Sequence, residues 1–453
     1  MTQSAHIVHT MYLQKIFIGA AIFLIVGAAS AQTVSPSPDT RSAFNAAFQE
    51  TLRKPADPPT LLRYAELAVQ VGDLEAAISA LERLLMIDGE QPKVKLELGV
   101  LYYRLGSYEA ARGYLESARV SARATPETKQ RAGQYIAELD AKSGKSQFSG
   151  DLFTAMRHST NANSGPVGPT SSFGARTLPS PTVAERSDLS VLGAATLRHR
   201  YDLERQDNGA LESDFSFYTT RQFQVSEANL LLLDFTTGPR TAPFDGWLSD
   251  LAVKPFVAGR YVSGHDLPIY WAWGAGLEAA APLGDQIHAT FSVSGRRRDF
   301  INNADAPNND RSSGNEAAAV VDFRVELTQS MTMSLNSSFT RYVAMVPSES
   351  YVDYGFGGSM AVRFTDPLSL NGRLWSVTAS GGVQLATYDQ PDVAVDPIQR
   401  RGQADLNLSL ILAIPLDEQL TLIAQGALSQ RTAQLNNYAY NSFTSLIGIS
   451  WRF

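Results

Sequence analysis

From about residue 146 to the end of the chain, apolar and polar side chains take turns. In the last stretch Phe443, Ile447, Ile449, Trp451 and Phe453 alternate with Ser442, Thr444, Gly448, Ser450 and Arg452. The same period of two runs through Leu406, Leu408, Leu410, Leu412 and Ile414 against Asp405, Asn407 and Ser409. It returns in Met331, Met333, Leu335 and Phe339, and in Trp375, Val377, Ala379, Val383 and Leu385. Successive side chains of a strand point to opposite faces, so each run has one greasy and one polar face. Strands of a soluble sandwich are mostly about five or six residues long. These runs reach nine or more, the length a tilted strand needs to cross a bilayer.

Fourteen such runs start near Gly150, Leu189, Leu211, Leu230, Leu251, Ile269, Gln286, Asn315, Met331, Tyr351, Leu374, Gln403, Leu420 and Tyr440. Long polar connections follow odd runs, at Asn161 to Asp188, Asp299 to Gly314 and Tyr388 to Arg401. Several connections after even runs are tight, such as Pro282 to Asp285, Thr328 to Ser330 and Pro415 to Glu418, with Gly238 to Asp250 as an exception. That asymmetry is expected of an antiparallel transmembrane β-barrel with short periplasmic turns and long external loops. All five Trp residues (Trp247, Trp271, Trp273, Trp375 and Trp451) fall here, and many Tyr residues sit near strand ends, where aromatic girdles form. An even strand count brings both ends of the barrel to the same side of the membrane.

Residues 41–145 follow a helical pattern rich in Ala, Leu, Glu and Arg. Gly72 to Ile78 and Gly106 to Arg112 align at a separation of 34 residues, the period of a tetratricopeptide repeat. Leu98, Gly99, Tyr102, Gly106, Tyr108, Ala111, Leu115 and Ala118 occupy the usual small and large positions of that family. Gly99 and Ala111 allow two helices to approach, and the larger residues fill the space between pairs. Two repeats leave apolar faces open, and amphipathic segments at Ser42 to Arg53 and Pro126 to Ala141 are expected to cover them, giving six helices. Resemblance to the tetratricopeptide family implies a groove lined by Lys93, Leu96, Val100 and Tyr103 that holds an extended peptide. A rigid spacer or plug is the equal alternative.

At the front, Lys15 precedes the apolar run Ile16 to Val26, and Ala29-Ser30-Ala31 precedes Gln32. This is the order of a secretory signal, expected to be cleaved after Ala31. As a helix the run would reach about 18 Å, short of a bilayer core of roughly 30 Å. Residues 32–40, with Pro36 and Pro38, read as a linker.

Composition narrows the functions. The chain has 453 residues and a net charge of −7, without the basic surplus of a nucleic-acid binder. Mean hydropathy of −0.13 excludes a bundle of membrane helices. With no cysteine, thiol catalysis, Cys-ligated metals and anchoring through an N-terminal Cys are excluded. Four histidines follow the signal, His158, His199, His265 and His288, and none has metal-ligand spacing. No nucleophile elbow, phosphate loop or dinucleotide fingerprint is present. A non-enzymatic protein without metal or cofactor is expected, with recruitment of His158 and Ser159, or His199, as a minor hydrolase option.

Arg296-Arg297-Arg298 closes one run before a long loop. A rim meeting lipopolysaccharide is the favoured reading, because an interfacial Arg costs only about 0 to 1 kcal/mol. The alternative places Arg296 and Arg298 in an anion-favouring lumen with Arg198, Arg200 and Arg260. Trp451 and Phe453 resemble the terminal signal read by the outer-membrane assembly machinery.

The export signal, the short tetratricopeptide domain, the barrel of about fourteen strands over 147–453 and the stretch Arg157-His158-Ser159-Thr160-Asn161-Ala162-Asn163 together resemble the Slam family, the surface lipoprotein assembly modulators. The resemblance implies an outer-membrane translocon for a protein or lipoprotein client, engaged by a periplasmic helical domain. A polysaccharide or small-solute channel is the alternative, and an anchored scaffold that recruits a periplasmic enzyme is a third class.

Overall fold

The structure is a computed structural model that describes residues 38–166, 170–173, 176–179, 184–204 and 209–453. The expected signal and most of the expected linker lie outside them. The chain forms two compact units that divide in sequence near Gln147.

The first unit holds six helices: α1 (Pro38–Arg53), α2 (Pro58–Val71), α3 (Leu74–Ile87), α4 (Pro92–Arg104), α5 (Tyr108–Val120) and α6 (Pro126–Ser143). Their starts are written in the sequence. Pro58, Pro92 and Pro126 occupy first turns, where the missing N–H costs nothing. Asp57 accepts the Thr60 N–H at 3.1 Å and Asp73 accepts that of Ala76 at 2.9 Å. Gly72 and Gly106 end α2 and α4 with φ of +83° and +77°, a left-handed stop that favours glycine. Helix α1 takes in Pro38 to Thr40, which the sequence reading assigned to the linker. Pro38 opens that helix, as its fixed φ allows.

Leu61, Ala65, Ala68, Ala77, Leu81, Leu84 and Leu98 form one core, covered by Phe44 of α1. Leu115, Ala118, Ala132, Ile136 and Leu139 form a second, closed by α6. The two covering helices thus supply the faces that the repeats lack.

Between α3 and α5, the Tyr102 hydroxyl donates to Glu82 Oε1 at 2.7 Å, and its ring stacks on Tyr114 at 5.5 Å. The Glu82 hydrogen bond, then burial, pushes the Tyr102 pKa up to about 12. A pKa raised on folding gives stability that is complete below the unfolded value near 10 and is lost as pH rises through the folded one. The melting temperature of the helical unit is therefore expected to fall between pH 10 and 12. Followed by circular dichroism, Tyr102→Phe should show a shallower decline across that window than the parent.

The second unit is a closed antiparallel barrel of fourteen strands. In chain order these are β1 (Ser146–Ser159), β4 (Asp188–Asp202), β5 (Ala210–Gln222), β6 (Leu230–Arg240), β7 (Ala252–Gly264), β8 (Leu267–Pro282) and β9 (Ile287–Phe300). There follow β10 (Gly314–Thr328), β11 (Met331–Ala344), β12 (Tyr351–Phe364), β13 (Trp375–Pro391), β14 (Arg400–Pro415), β15 (Leu420–Ala433) and β16 (Tyr440–Arg452). Two short strands, β2 (Thr170–Phe173) and β3 (Arg176–Pro179), form a separate hairpin in the connection after β1. Strand β13 also runs to Pro391, into the connection expected from Tyr388.

Consecutive barrel strands pair in register, and β1 closes on β16 from Asp151↔Arg452 to Ser159↔Thr444. The outer face presents the greasy half of each alternation, with Leu277, Phe291, Leu335, Phe356, Leu410 and Ile447 all exposed. An apolar exterior on a closed sheet is the solution that a hydrocarbon solvent permits, since no edge is left unpaired.

The girdle expectation needs correction. Trp271, Trp273 and Trp451 are exposed on the outer face, but Trp375 is buried. Tyr218, Tyr270, Tyr342, Tyr351, Tyr388 and Tyr440 stand at inward positions of the strand register.

Candidate functional site

The inward wall of the barrel is where the chemistry collects. Strand register brings Arg198, Arg200, Glu212, Asp214, Asp234, Arg240, Lys254, Arg260, Glu278, Arg296, Arg298 and Glu316 to the inside of β4 to β10. They interlock. Arg240 Nε donates to Glu212 at 2.9 Å while its Nη2 reaches Glu278. Lys254 Nζ, almost fully buried, donates to Asp214 at 3.1 Å and lies 3.4 Å from Glu212. Arg200 Nη1 adds a further contact to Glu212 at 3.2 Å. Arg260 Nε donates to Asp234 at 2.5 Å. Such a network is charge-assisted, and it is driest around Lys254, where a member without a partner would be penalised most.

Nearer the long loops, cations lie over tyrosine rings. Arg298 pairs with Glu316 and lies 4.7 Å from the Tyr342 ring centroid and 5.8 Å from that of Tyr270. Arg401 lies over Tyr388 and Tyr438 at 4.4 and 3.8 Å. The aromatic faces stabilise guanidinium groups that have left water. On the far wall Arg431 grips Asp405, and Gln384 donates to Asp353 at 2.9 Å.

The structure thus places Arg296 and Arg298 on the inside, together with Arg198, Arg200 and Arg260, which corrects the favoured rim reading. The cause is parity. Arg296 stands opposite Gly274 and Glu316, both on the polar face, whereas Arg297 points outward and pairs with Asp299 at 2.8 Å. Parity also separates His158, facing outward, from Ser159, which faces inward and shares a hydrogen bond with Ser442 at 3.0 Å. His158 and Ser159 therefore face opposite sides of the sheet. His199 stacks on Phe148 at 4.4 Å. Among the described residues no cluster of His, Asp and Glu could hold a metal ion.

The groove expected on α4 is largely covered. Leu96 is 2% exposed and packed against Ala111, Leu115, Ala132, Ile136 and Leu139, with Val100 and Tyr103 against the same cluster. Tyr103 meets the rings of Tyr108 and Tyr135 at 6.0 and 5.7 Å. Lys93 is exposed. Helix α6 covers the face that the repeat pattern, taken alone, leaves open. The exposed polar pair joining α4 and α6 is Glu97 with Arg131, 3.4 Å apart.

Asn161 and Asn163, from the stretch that carries the Slam resemblance, are buried at the end of β1. Asn161 Nδ2 donates to the carbonyls of Asn441 and Gly165 at 3.0 and 2.8 Å, while its Oδ1 accepts the Gly165 N–H. Asn163 binds the backbone at Ala184 and Arg186. The two side chains tie both ends of the first long connection to the seam of first and last strands. At the other end of the seam, Phe453 exchanges backbone hydrogen bonds with Gly150, and its ring stacks with Trp451 at 5.1 Å.

A tetratricopeptide-repeat family matches residues 68–129. The helical unit is a tetratricopeptide-repeat domain. None of the curated proteins matches the chain. Among solved structures, an outer-membrane channel from Pseudomonas putida F1 is 12% identical over 68% of this chain and 95% of its own, with a TM-score of 0.35. OccAB3 of Acinetobacter baumannii is 10% identical over 68% and 99%, with a TM-score of 0.33. The type III secretion translocator chaperone SycD of Yersinia enterocolitica is 15% identical over 23% of this chain and 74% of its own, with a TM-score of 0.22.

Proposed function

We propose that the chain is an outer-membrane translocon that delivers a protein or lipoprotein partner to the cell surface, as its resemblance to the Slam family implies. The observation that carries this reading is the join: a tetratricopeptide-repeat domain ends at Ser143, and a closed barrel begins at Ser146. Strands β1 and β16 start and finish at the end of the barrel that carries the tight turns 283–286, 329–330 and 416–419, together with the longer connections 241–251 and 365–374, and tight turns are usual at the periplasmic end of such barrels. The helical domain is then tethered in the periplasm, where it meets the partner. Trp451 and Phe453 serve the assembly machinery, and the outer face meets lipid and lipopolysaccharide. No catalytic step or cofactor enters this reading.

A second reading, a conduit for a small solute or polysaccharide, is favoured by the charged inward wall. Two measurements divide them. In cells lacking the chain, protease shaving should show loss of a surface-exposed lipoprotein, regained with the full chain but not with one lacking residues 42–145. In planar bilayers the full-length protein should be silent or flickering. A steady open conductance with and without the helical domain, alongside an unchanged surface, would overturn the translocon and leave the conduit.

A further inference from the structure

On the inward wall around Arg296 the neighbouring charges are matched in pairs. Arg260 is taken by Asp234, and Arg298 by Glu316. Among the described residues no carboxylate lies within ion-pair distance of Arg296, and its Nε is buried without an acceptor. Glu316 stands directly opposite it on β10, but that carboxylate is turned to Arg298. Arg260, Asp234, Arg298 and Tyr270 all act electrostatically on Arg296, and Glu316 stands opposite it. Three guanidinium groups therefore face two carboxylates, which leaves one positive charge unmatched on a confined wall.

The wall is also shaped for this side chain. Gly274 is the cross-strand neighbour of Arg296, and a Cβ there would stand 2.8 Å from Arg296 Cγ. The absent side chain lets the stem of Arg296 lie flat against β8. Tyr270 hydrogen-bonds Arg260 and lies beneath Arg298, so the neighbouring cations are held in place. An unmatched cation in a confined, poorly hydrated site is relieved by an anion.

We propose that Arg296, flanked by Arg260 and Arg298 above the Gly274 floor, is a lumenal binding site for a carboxylate. The inference is independent of the translocon reading, since a client side chain and a passing solute can both present that group. A single unmatched charge and a planar fork suit a monovalent carboxylate, which a guanidinium grips through two parallel hydrogen bonds. Phosphate, at up to about two negative charges near neutral pH, would overcompensate.

The test uses detergent-purified full-length protein and does not require an open channel. Broadening of the fluorine NMR signal of trifluoroacetate reports binding, with acetate as competitor. The parent should bind saturably, and Arg296→Gln should weaken binding about tenfold or more. Arg324→Gln, an inward arginine on β10, should bind as the parent does. Arg296→Lys keeps the charge without the fork and should fall between the two; it serves as the deciding variant if Arg296→Gln loses its heat-modifiable shift. Equal broadening in the parent and both Arg296 variants would overturn the site. Phosphate displacing the probe better than acetate would overturn the carboxylate assignment.

Discussion

Replacing Gly99 with Val is expected to lower the melting temperature of the helical domain sharply while leaving the barrel intact. A Cβ at Gly99 would lie 2.5 Å from Leu115 Cγ and 3.2 Å from the Leu115 backbone nitrogen. Leu115 is fully buried in the second helical core, so its side chain has no free space to retreat into. Helices α4 and α5 would have to separate, and overpacking of this kind costs about 2 to 3 kcal/mol. In a domain of about a hundred residues that lowers the melting temperature by roughly 10 to 20 °C. Circular dichroism at the helical minimum should show this loss in the full-length protein. Because the barrel is a separate compact unit, its heat-modifiable gel shift should persist, as it should when residues 42–145 are deleted. Loss of the shift in either variant would show that the barrel depends on the helices.

The barrel was legible because its period is strict. Each strand start foretold from the alternation lies within four residues of the observed one, from Gly150 against Ser146 to Tyr440 against Tyr440. The repeat was legible for a similar reason: Gly72 and Gly106 each stop a helix in the left-handed region, 34 residues apart. Alternation is silent, however, on connections that make their own pairs. The hairpin of β2 and β3 lies in a stretch of Ser, Gly and Pro that reads as loop.

The inward site was half legible. Parity alone assigns Arg296 and Arg298 to one face and Arg297 to the other, but it does not say which face is inside. That answer came from the partners. Glu212 and Asp214 on β5 and Glu316 on β10 occupy polar positions of their runs, so a search for charges at alternate positions on neighbouring strands would have found the network. Lipid-interface energetics instead favour the rim, because they price a single Arg and omit carboxylates on other strands of the barrel, such as Glu316 on β10. Leu96 failed differently. Its place in the repeat is that of a groove residue, and helix α6 covers it.

Of the charge pairs inside the barrel, the bond between Asp405 and Arg431 is expected to matter most to stability. The residues are direct cross-strand partners on β14 and β15, and their side chains are 10% and 4% exposed. Arg431 donates from Nη2 to Asp405 Oδ2 at 2.5 Å and from Nε to the other oxygen, with its guanidinium 5.3 Å from the Tyr440 ring centroid. Asp405→Ala leaves that cation buried without a counter-charge, at a cost of about 3 to 5 kcal/mol. The outward pair of Arg341 and Asp389 is equally bidentate, at 2.7 and 2.6 Å, but about one third exposed. Its two charges are far less buried than the inner pair, so Asp389→Ala should cost about 1 kcal/mol or less. Urea titration of the refolded barrel in vesicles, read by the gel shift, separates the two. Replacing Asp405 and Arg431 together by Leu and Met should recover most of the loss, because removing both charges also removes the cost of burying either one. If Asp405→Ala and Asp389→Ala shift the midpoint equally, burial is not what gives the inner pair its weight.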